Sequence, residues 1–154
     1  MVEGIFSIIM GAAFLWVLWY VLILASRWLI FAKAGLAGWK AFIPIYSDYC
    51  TYRIAWSRGK FWLFAIAAVA SSVLSGMVTN MTEAGEAVPA LLSTAVSVLA
   101  FIITLMHLML NIKLAHRFGH SFLFGLGLSI LTPLFTVILG LGSSRYLGNP
   151  QEGL

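Results

Sequence analysis

The sequence predicts an all-α, polytopic membrane protein built as a four-helix transmembrane bundle. Of its 154 residues, 62% are hydrophobic and only 9% are charged, whereas an average soluble domain is about 25% charged. Three or four apolar runs reach the roughly 20 residues needed to cross the hydrocarbon core of a bilayer. These runs are continuous and do not alternate between apolar and polar positions, which argues against a membrane β-barrel.

We expect a single transmembrane domain over residues 1–148 and a frayed tail at 149–154. The predicted spans are residues 5–26, 61–79, 90–112 and 122–141. Pro133 lies in the middle of the fourth span, where a proline removes a backbone hydrogen bond and kinks the helix. The alternative for this segment is a re-entrant hairpin that breaks at Pro133 and returns the tail to the side from which it entered.

The distribution of charge predicts the orientation of the bundle. Five basic residues and one acid follow the first span, and two basic residues and two histidines follow the third. Cytoplasmic connections are enriched in Lys and Arg, so both connections are expected in the cytoplasm and the N-terminus outside. Four full spans would place the C-terminus outside as well. The positive charge suits anionic lipid headgroups, and no nucleic-acid partner is expected.

Residues 34–58 join the first two spans and are predicted to form a cytoplasmic, amphipathic segment at the membrane interface. Gly35 permits a tight exit from the first span, Pro44 ends any helix begun before it, and Ser47 or Asp48 can cap a new helix. Aromatic and basic side chains anchor such segments at headgroup level. The expected lipid anchors are Trp39, Lys40, Arg53, Trp56, Arg58 and Lys60.

His107 is the ionisable residue set well inside a predicted span, and Asn111 follows it on the same helix face at i+4. Polar side chains at this depth are expected to point away from lipid. Two interpretations stay open: a polar vestibule that opens toward the cytoplasm, or an interhelical hydrogen bond that only fixes packing. The residues expected around such a vestibule are His107, Asn111, His116, His120, Tyr46, Tyr49 and Tyr52.

Small residues recur at every fourth position of the second span, at Ala68, Ser72 and Gly76, and predict a face for close helix packing. The single cysteine, Cys50, excludes an intramolecular disulfide and the usual thiolate metal sites. The sequence contains no nucleotide-binding loop and no pattern of a hydrolytic triad. We therefore predict a non-enzymatic protein with no catalytic residue, no metal ligand and no cofactor.

Two segments together resemble a widespread bacterial family of small multi-pass membrane proteins of unknown function. They are residues 31–56, FAKAGLAGWKAFIPIYSDYCTYRIAW, and residues 111–148, NIKLAHRFGHSFLFGLGLSILTPLFTVILGLGSSRYLG. The resemblance implies the cell membrane as the location, and more narrowly the bacterial inner membrane. Some relatives carry signal-peptidase-like domains, which implies a membrane module that serves an attached partner. Ser47 and His120 stand where the family commonly has Asn and Lys, so no role of those two residues is carried over.

Three functional hypotheses follow. The favoured one is a non-catalytic accessory or scaffold subunit of a larger membrane complex. The alternative is a small homo-oligomeric transporter or channel with a vestibule near His107 and Asn111, since four short spans leave little room for a pathway inside one chain. An intramembrane enzyme that uses Cys50 or His107 is the least supported. The expected partners are membrane lipids and either the subunits of a complex or further copies of the chain.

Overall fold

The computed structural model describes residues 2–85 and 87–148, so the predicted tail at 149–154 lies outside the described residues. This part of the chain is helical throughout and has no strand, which confirms the all-α class. Three stretches are long and apolar enough to cross a membrane: Ile9–Lys33, Arg58–Glu83 and Ala90–Arg117. In chain order the elements are α1 (Val2–Lys33), a 3₁₀ turn (Gly38–Phe42), α2 (Pro44–Ala55), α3 (Arg58–Glu83), α4 (Ala90–Arg117), α5 (Phe122–Ile130) and α6 (Thr132–Leu141).

The first and third spans continue as helices beyond the predicted apolar runs. Hydropathy falls where polar residues begin, but a helix continues until its backbone is interrupted. In both cases a glycine interrupts it: Gly35 has φ +76° and Gly119 has φ +75°, a left-handed conformation that glycine adopts without steric cost. The amide of the next residue then bonds back across the turn, Leu36 to Phe31 and His120 to Ala115, each at 2.9 Å, as in a Schellman motif.

This lengthening changes the depth of two polar residues. Arg27, expected to end the first span, lies inside α1, six residues before its end at Lys33. His107 was expected about one and a half turns from the end of its helix. It lies ten residues before the end of α4 at Arg117, which corresponds to about 15 Å. Both side chains therefore lie farther from the ends of their helices than predicted.

The connection between α1 and α3 folds back and packs against the bundle, where part of it is buried. The 3₁₀ turn runs back along α1, where Gly38 contacts the indole of Trp28 and Phe42 packs on the same indole with ring centroids 5.6 Å apart. Helix α2 then starts at Pro44 and leads out again. Its N-cap is Ile43, not Ser47 or Asp48, because proline is favoured in the first helical turn.

Helix α2 also buries part of its surface against protein, which an amphipathic helix lying free in the interface would not do. Its buried residues belong to several faces rather than to one stripe, and α2 packs against both α3 and α4. The other seven residues of α2 are exposed or half-buried, so whether this helix lies at the membrane interface stays a prediction. The buried residues are Ser47, Cys50, Tyr52, Ile54 and Ala55.

The segment predicted as a Pro-kinked fourth span is two short helices, and that prediction is wrong. Helix α5 ends at Ile130, and α6 begins at Thr132 with Pro133 in its first turn. The rings of Phe124 and Phe135 lie 5.0 Å apart, although a continuous helix would separate their backbones by about 16 Å. The structure has the hairpin geometry of the alternative interpretation, and the hairpin breaks at Leu131 rather than at Pro133.

Both ends of this hairpin lie at one end of the bundle. The amide of Leu147, beyond α6, donates to the carbonyl of Arg117 at 2.6 Å, which places the chain after α6 beside the end of α4. Tyr146 donates to the carbonyl of Ile54 at 2.9 Å. The described C-terminal segment therefore lies beside both basic connections. We call this end of the bundle, formed by residues 33–60 and 113–121, the basic end.

Close backbone contacts hold the hairpin in place. A Cβ atom on Gly140 would lie 2.5 Å from the carbonyl oxygen of Ser26, and one on Gly125 would lie 2.6 Å from the Cα of Ile112. Glycine thus allows α6 to touch α1 and α5 to touch α4. The ammonium of Lys33 bonds to two carbonyls at the end of α6, those of Leu139 and Gly142, at 2.8 and 2.7 Å.

The other half of the bundle is loosely packed. Every side chain that the structure describes between Gly4 and Val21 is exposed. Among the described elements, α1 packs extensively only on α6 and the 3₁₀ turn, while α3 packs on α4 and α2. The buried residues that include Phe31, Cys50, Tyr52 and Leu128 lie where the two inward-folded segments meet the long helices. We call the half of the bundle opposite the basic end, which includes residues 4–21 of α1, the far half.

Candidate functional site

A small cavity lined by both polar and apolar side chains, which we call the polar cavity, lies between the inward-folded segments, and its walls come from α1, α2, α4, α5 and α6. Its volume is about 70 Å³, room for about two water molecules at roughly 30 Å³ each. The apolar part of its wall includes Ile30, Phe31, Leu110 and Leu128. The polar residues that line it are Arg27, Asp48, Thr51, His107, Asn111, Thr132 and Thr136.

Arg27 and Asp48 place opposite charges at this cavity. A guanidinium nitrogen of Arg27 is 4.0 Å from a carboxylate oxygen of Asp48, and the two side chains are 40% and 55% exposed. The same nitrogen donates to the buried hydroxyl of Ser47 over 3.4 Å. Both distances are long, and a partly exposed ion pair contributes at most about 1 kcal/mol. The pair is therefore loosely held and is open to exchange with another charged or polar group.

His107 and Asn111 lie on the same cavity wall, as their i+4 spacing predicted. Asn111 is only 6% exposed, and its amide donates to the hydroxyl of Ser129 on α5 at 3.1 Å. This bond is the interhelical contact of the packing interpretation, and it joins α4 to the hairpin. His107 is more exposed and lies 6.2 Å from the ring of Phe64. The Asn111 side chain holds α4 against the hairpin, while the His107 imidazole lines the cavity.

The tip of the hairpin supplies two threonines that the sequence did not single out. Thr132 begins α6, and the hydroxyl of Thr136, one turn later, donates to its carbonyl at 2.6 Å. The N-cap position of α6 is Leu131, whose side chain makes no capping hydrogen bond. Non-helical backbone is tolerated at membrane depth where it is enclosed by protein or lines a polar cavity. At this break Thr132 lines the cavity, while Leu131 itself is exposed.

The other residues expected at a vestibule lie elsewhere, so the structure does not bring the predicted set together. His116 is exposed in a separate cleft near Trp56. The imidazole of His120 stacks on Phe124 at 4.1 Å. Tyr46 and Tyr49 stack on each other at 5.8 Å, beside an apolar groove.

Tyr52 is buried in the core rather than roofing a vestibule. Its ring packs on those of Phe61 and Phe64, and only 1% of the residue is exposed. Its hydroxyl is buried, and no group of the described residues hydrogen-bonds to it. Burial, with a smaller contribution from the nearby charge of Asp48, raises the pKa of Tyr52 to about 12. The periodicity of three tyrosines therefore does not reflect one shared surface.

The predicted packing face and the lipid anchors are only partly engaged by the chain itself. Ser72 and Gly76 are exposed, and a Cβ on Gly76 would have nothing within 4 Å. Any close packing of this face therefore involves lipid or another chain and stays a prediction.

The predicted lipid anchors include Lys40, which lies 5.5 Å over the ring of Tyr46. Contact of these anchors with lipid headgroups also stays a prediction. Of the other anchors, Trp39, Arg58 and Lys60 are exposed, and Arg53 and Trp56 are half-buried.

Cys50 has none of the features of a reactive thiol. It is fully buried, and this burial raises its pKa above the usual range despite the positive charges of Lys40 and Arg53. A thiol must be deprotonated to act as a nucleophile, so this environment disfavours thiol chemistry. Over residues 2–85 and 87–148, no group of three or more His, Cys, Asp and Glu side chains is placed to hold a metal ion.

Sequence reasoning missed Arg27, Asp48, Thr51, Thr132 and Thr136 as cavity residues. Two signals were present: Asp48 is the one acid among the basic residues of the first connection, and Thr132 and Thr136 have i+4 spacing beside a proline. Neither signal locates the partner on another helix. The sequence predicts Arg27 at the end of a span, and only the observed length of α1 places it within the helix.

Comparison with known proteins identifies a family but no activity. Neither a curated protein nor a solved structure matches the chain. The model of a family of unknown function (DUF5684) matches residues 39–149, which is well over half of the chain. The match takes in the cavity walls from α2, α4, α5 and α6 and leaves out the α1 wall with Arg27. The chain therefore belongs to this family of unknown function, DUF5684.

Proposed function

We propose that the protein binds a small polar solute or ion in the cavity between its inward-folded segments and, as a homo-oligomer, passes it across the membrane. The observation that carries this proposal is the polar cavity between the inward-folded segments, with Arg27, Asp48 and His107 on its walls. Ionisable groups inside a membrane bundle are costly and characteristically line solute or ion pathways. We keep the predicted orientation, in which the basic end faces the cytoplasm.

The hairpin supports this proposal because transporters build their sites from interrupted helices near the middle of the membrane. Here α5 and α6 enter from the basic end, break at Leu131 and place Thr132 at the cavity. The far half has no comparable wall, since the described side chains of Gly4–Val21 are exposed. A pathway through that half needs residues from a second copy of the chain, which is why the proposal includes a homo-oligomer.

The first experiment asks whether water reaches the cavity from the basic end. In a Cys50→Ala background, Thr132→Cys and Leu134→Cys are compared by labelling with a charged, membrane-impermeant thiol reagent. We expect Thr132→Cys to react, because it lines the cavity. Leu134 is on the same helix and does not line the cavity. Its exposed side chain would face lipid in the membrane, so Leu134→Cys should stay unlabelled. Failure to label Thr132→Cys from either side would exclude an aqueous route to the cavity.

The second experiment measures flux in vesicles that contain the purified protein. Proton, potassium and chloride movement is followed with a pH-sensitive dye and ion electrodes, and the neutral solute urea by vesicle swelling. Flux through the wild type should fall at least tenfold in His107→Ala, while Met109→Ala leaves it unchanged. Met109 is on the same helix, is 52% exposed and does not line the cavity. Equal loss in both variants would show a general defect of α4 instead of a pathway.

The accessory-subunit hypothesis has one observation in its favour, the unpacked first half of α1. A helix that is apolar all round contacts lipid or another membrane helix, and Trp16 and Tyr20 are 73% and 63% exposed there. Purification in mild detergent distinguishes the two proposals. A defined set of unlike membrane proteins that co-purifies and requires residues 4–21 favours an accessory role, whereas a closed homo-oligomer favours transport. Both proposals are non-enzymatic, in keeping with the buried Cys50.

A further inference from the structure

A second cleft, separate from the polar cavity, lies at the basic end between α2, α4 and the C-terminal segment. It is lined by Ala55, Trp56, Lys113, His116, Arg117 and Leu147, and its volume is about 360 Å³. This volume falls in the range of about 300–1,000 Å³ that is typical of small-molecule sites. The wall contains three cationic or ionisable nitrogen groups and no carboxylate.

Contacts between distant parts of the chain build this cleft. The segment after α6 closes it, held by the hydrogen bond from the Leu147 amide to the Arg117 carbonyl at 2.6 Å. Tyr146 secures the same segment to α2 through its bond to Ile54, and its ring packs on Phe118 at 5.4 Å. The cleft therefore exists only because the hairpin returns the chain to the basic end. A full fourth span would have carried Leu147 to the opposite side.

Two lysine ammonium groups lie close to the indole ring of Trp56, which lines the cleft. The ammonium of Lys113 lies 5.3 Å from the centre of its ring, and that of Lys60, from the first turn of α3, lies 5.5 Å from it. Both distances are within the cation–π range of about 6 Å. Among the described residues, neither ammonium group has a carboxylate partner. The two ammonium groups concentrate positive charge near one ring, and a bound anion would partly neutralise that charge.

We infer that this cleft binds a phosphate group, with the headgroup of an anionic phospholipid as its source in the membrane. Basic pockets between transmembrane helices on the cytoplasmic side are suited to such headgroups. Lys113 supplies a point charge, and His116 supplies a hydrogen-bonding imidazole from the last turns of α4. Leu147 and the indole of Trp56 provide apolar surface for the glycerol and the start of the acyl chains. The inference is independent of transport through the polar cavity.

The test is native mass spectrometry of the full chain released from nanodiscs. The nanodiscs contain phosphatidylcholine with one part in five of phosphatidylglycerol. We expect the wild type to retain phosphatidylglycerol at collision energies that remove phosphatidylcholine. Lys113→Gln should lower the retained fraction about fivefold, as expected for the loss of one basic contact near a charged lipid surface. Lys113→Arg should restore it.

Lys40→Gln is the matched control, because it removes one positive charge from the basic end without touching the cleft. It should leave the retained fraction unchanged. Equal loss in Lys40→Gln and Lys113→Gln would overturn the inference, since it would show diffuse attraction to the membrane surface. Equal retention of the two lipids by the wild type would overturn it as well.

A second arm separates lipid from soluble phosphate as the source. Inorganic phosphate and glycerol 3-phosphate are titrated onto the protein in nanodiscs of phosphatidylcholine alone. Absence of binding there, with retention of phosphatidylglycerol, supports a lipid headgroup. Binding of the soluble compounds that is lost in Lys113→Gln supports the same phosphate site with a soluble source.

Discussion

The basic half and the far half of the bundle are held together by different means. In the basic half, glycines bring backbones into contact, as at Gly140 against Ser26, and Lys33 binds the end of α6. In the far half, the described side chains of α1 from Gly4 to Val21 are exposed, and the long helix α3 packs on α4. Hydrophobicity does not drive helix association in lipid. The specific contacts of the basic half therefore determine the fold, and the far half is left for lipid or for another chain.

The strongest test of this contrast replaces one glycine in each half by leucine. In Gly140→Leu the new side chain would collide with the backbone of Ser26, so the hairpin must separate from α1. We expect a loss of more than about 3 kcal/mol of stability, or no folded protein, since overpacking with backbone shifts costs about 1–3 kcal/mol or more. Thermal unfolding in detergent, followed by circular dichroism, gives the measurement.

Gly11→Leu is the matched control. Gly11 is exposed in the far half, and a Cβ there would have nothing within 4 Å. Its replacement should leave the unfolding temperature unchanged or raise it slightly, because leucine favours the helix more than glycine does. Comparable damage from both substitutions would contradict the division into a packed and an unpacked half.

The second prediction concerns the contact between Lys33 and the end of α6. Lys33→Met keeps a long apolar stem but removes two charge-assisted hydrogen bonds to the carbonyls of Leu139 and Gly142. Hydrogen bonds from charged groups contribute about 1.5–3 kcal/mol each, and Ser144 still binds the Leu139 carbonyl at 3.1 Å. We expect a net loss of about 2 kcal/mol. Lys40→Met, also at the basic end, should cost much less because Lys40 only lies over the exposed ring of Tyr46.

The third prediction concerns the buried hydroxyl of Tyr52. Tyr52→Phe removes a polar atom that no described residue binds, and we expect a gain of about 1 kcal/mol at neutral pH. In alkaline solution the stability of the wild type should fall further below that of Tyr52→Phe. The unfolded chain loses the phenolic proton near pH 10, while the folded chain keeps it until a pKa of about 12. Stability that depends on the neutral phenol is complete below pH 10 and declines between pH 10 and 12.

The measurement is the difference in unfolding temperature between Tyr52→Phe and the wild type as a function of pH. This difference cancels the titration of lysines that both proteins share. A difference that stays constant from pH 8 to 12 would show that the Tyr52 phenol titrates normally in the folded protein.

The smallest effect on stability is expected at Gly76 in α3. Gly76→Leu fills open space, so the stability of the single chain should not change measurably. The oligomeric state is a sharper readout for the predicted packing face of Ala68, Ser72 and Gly76. Loss of a homo-oligomer in mild detergent, with unfolding of the monomer unchanged, would place this face between copies of the chain. An unchanged oligomer would assign it to lipid.

Local signals in the sequence were reliable where one stretch of chain decided the outcome. The helical class, the three long apolar helices and the tight exit at Gly35 were predicted from hydropathy and from the conformational freedom of glycine. The shared wall of His107 and Asn111 followed from helix periodicity. The other polar residues of the candidate site were missed because they lie on α1, α2 and α6. No local pattern in the sequence records which helices meet.

The sequence by itself determined that this protein is helical, belongs to a membrane and carries its positive charge on two connections. Whether residues 122–141 form one kinked helix or a hairpin was decided by the tertiary structure alone. An apolar stretch of that length with a proline at its centre satisfies hydropathy equally well as a kinked span or as a hairpin. The choice depends on contacts that Ser26 and Lys33 make with Gly140 and its neighbours, more than one hundred residues away along the chain. Those contacts also create the polar cavity and the basic cleft, so the candidate sites are products of the fold.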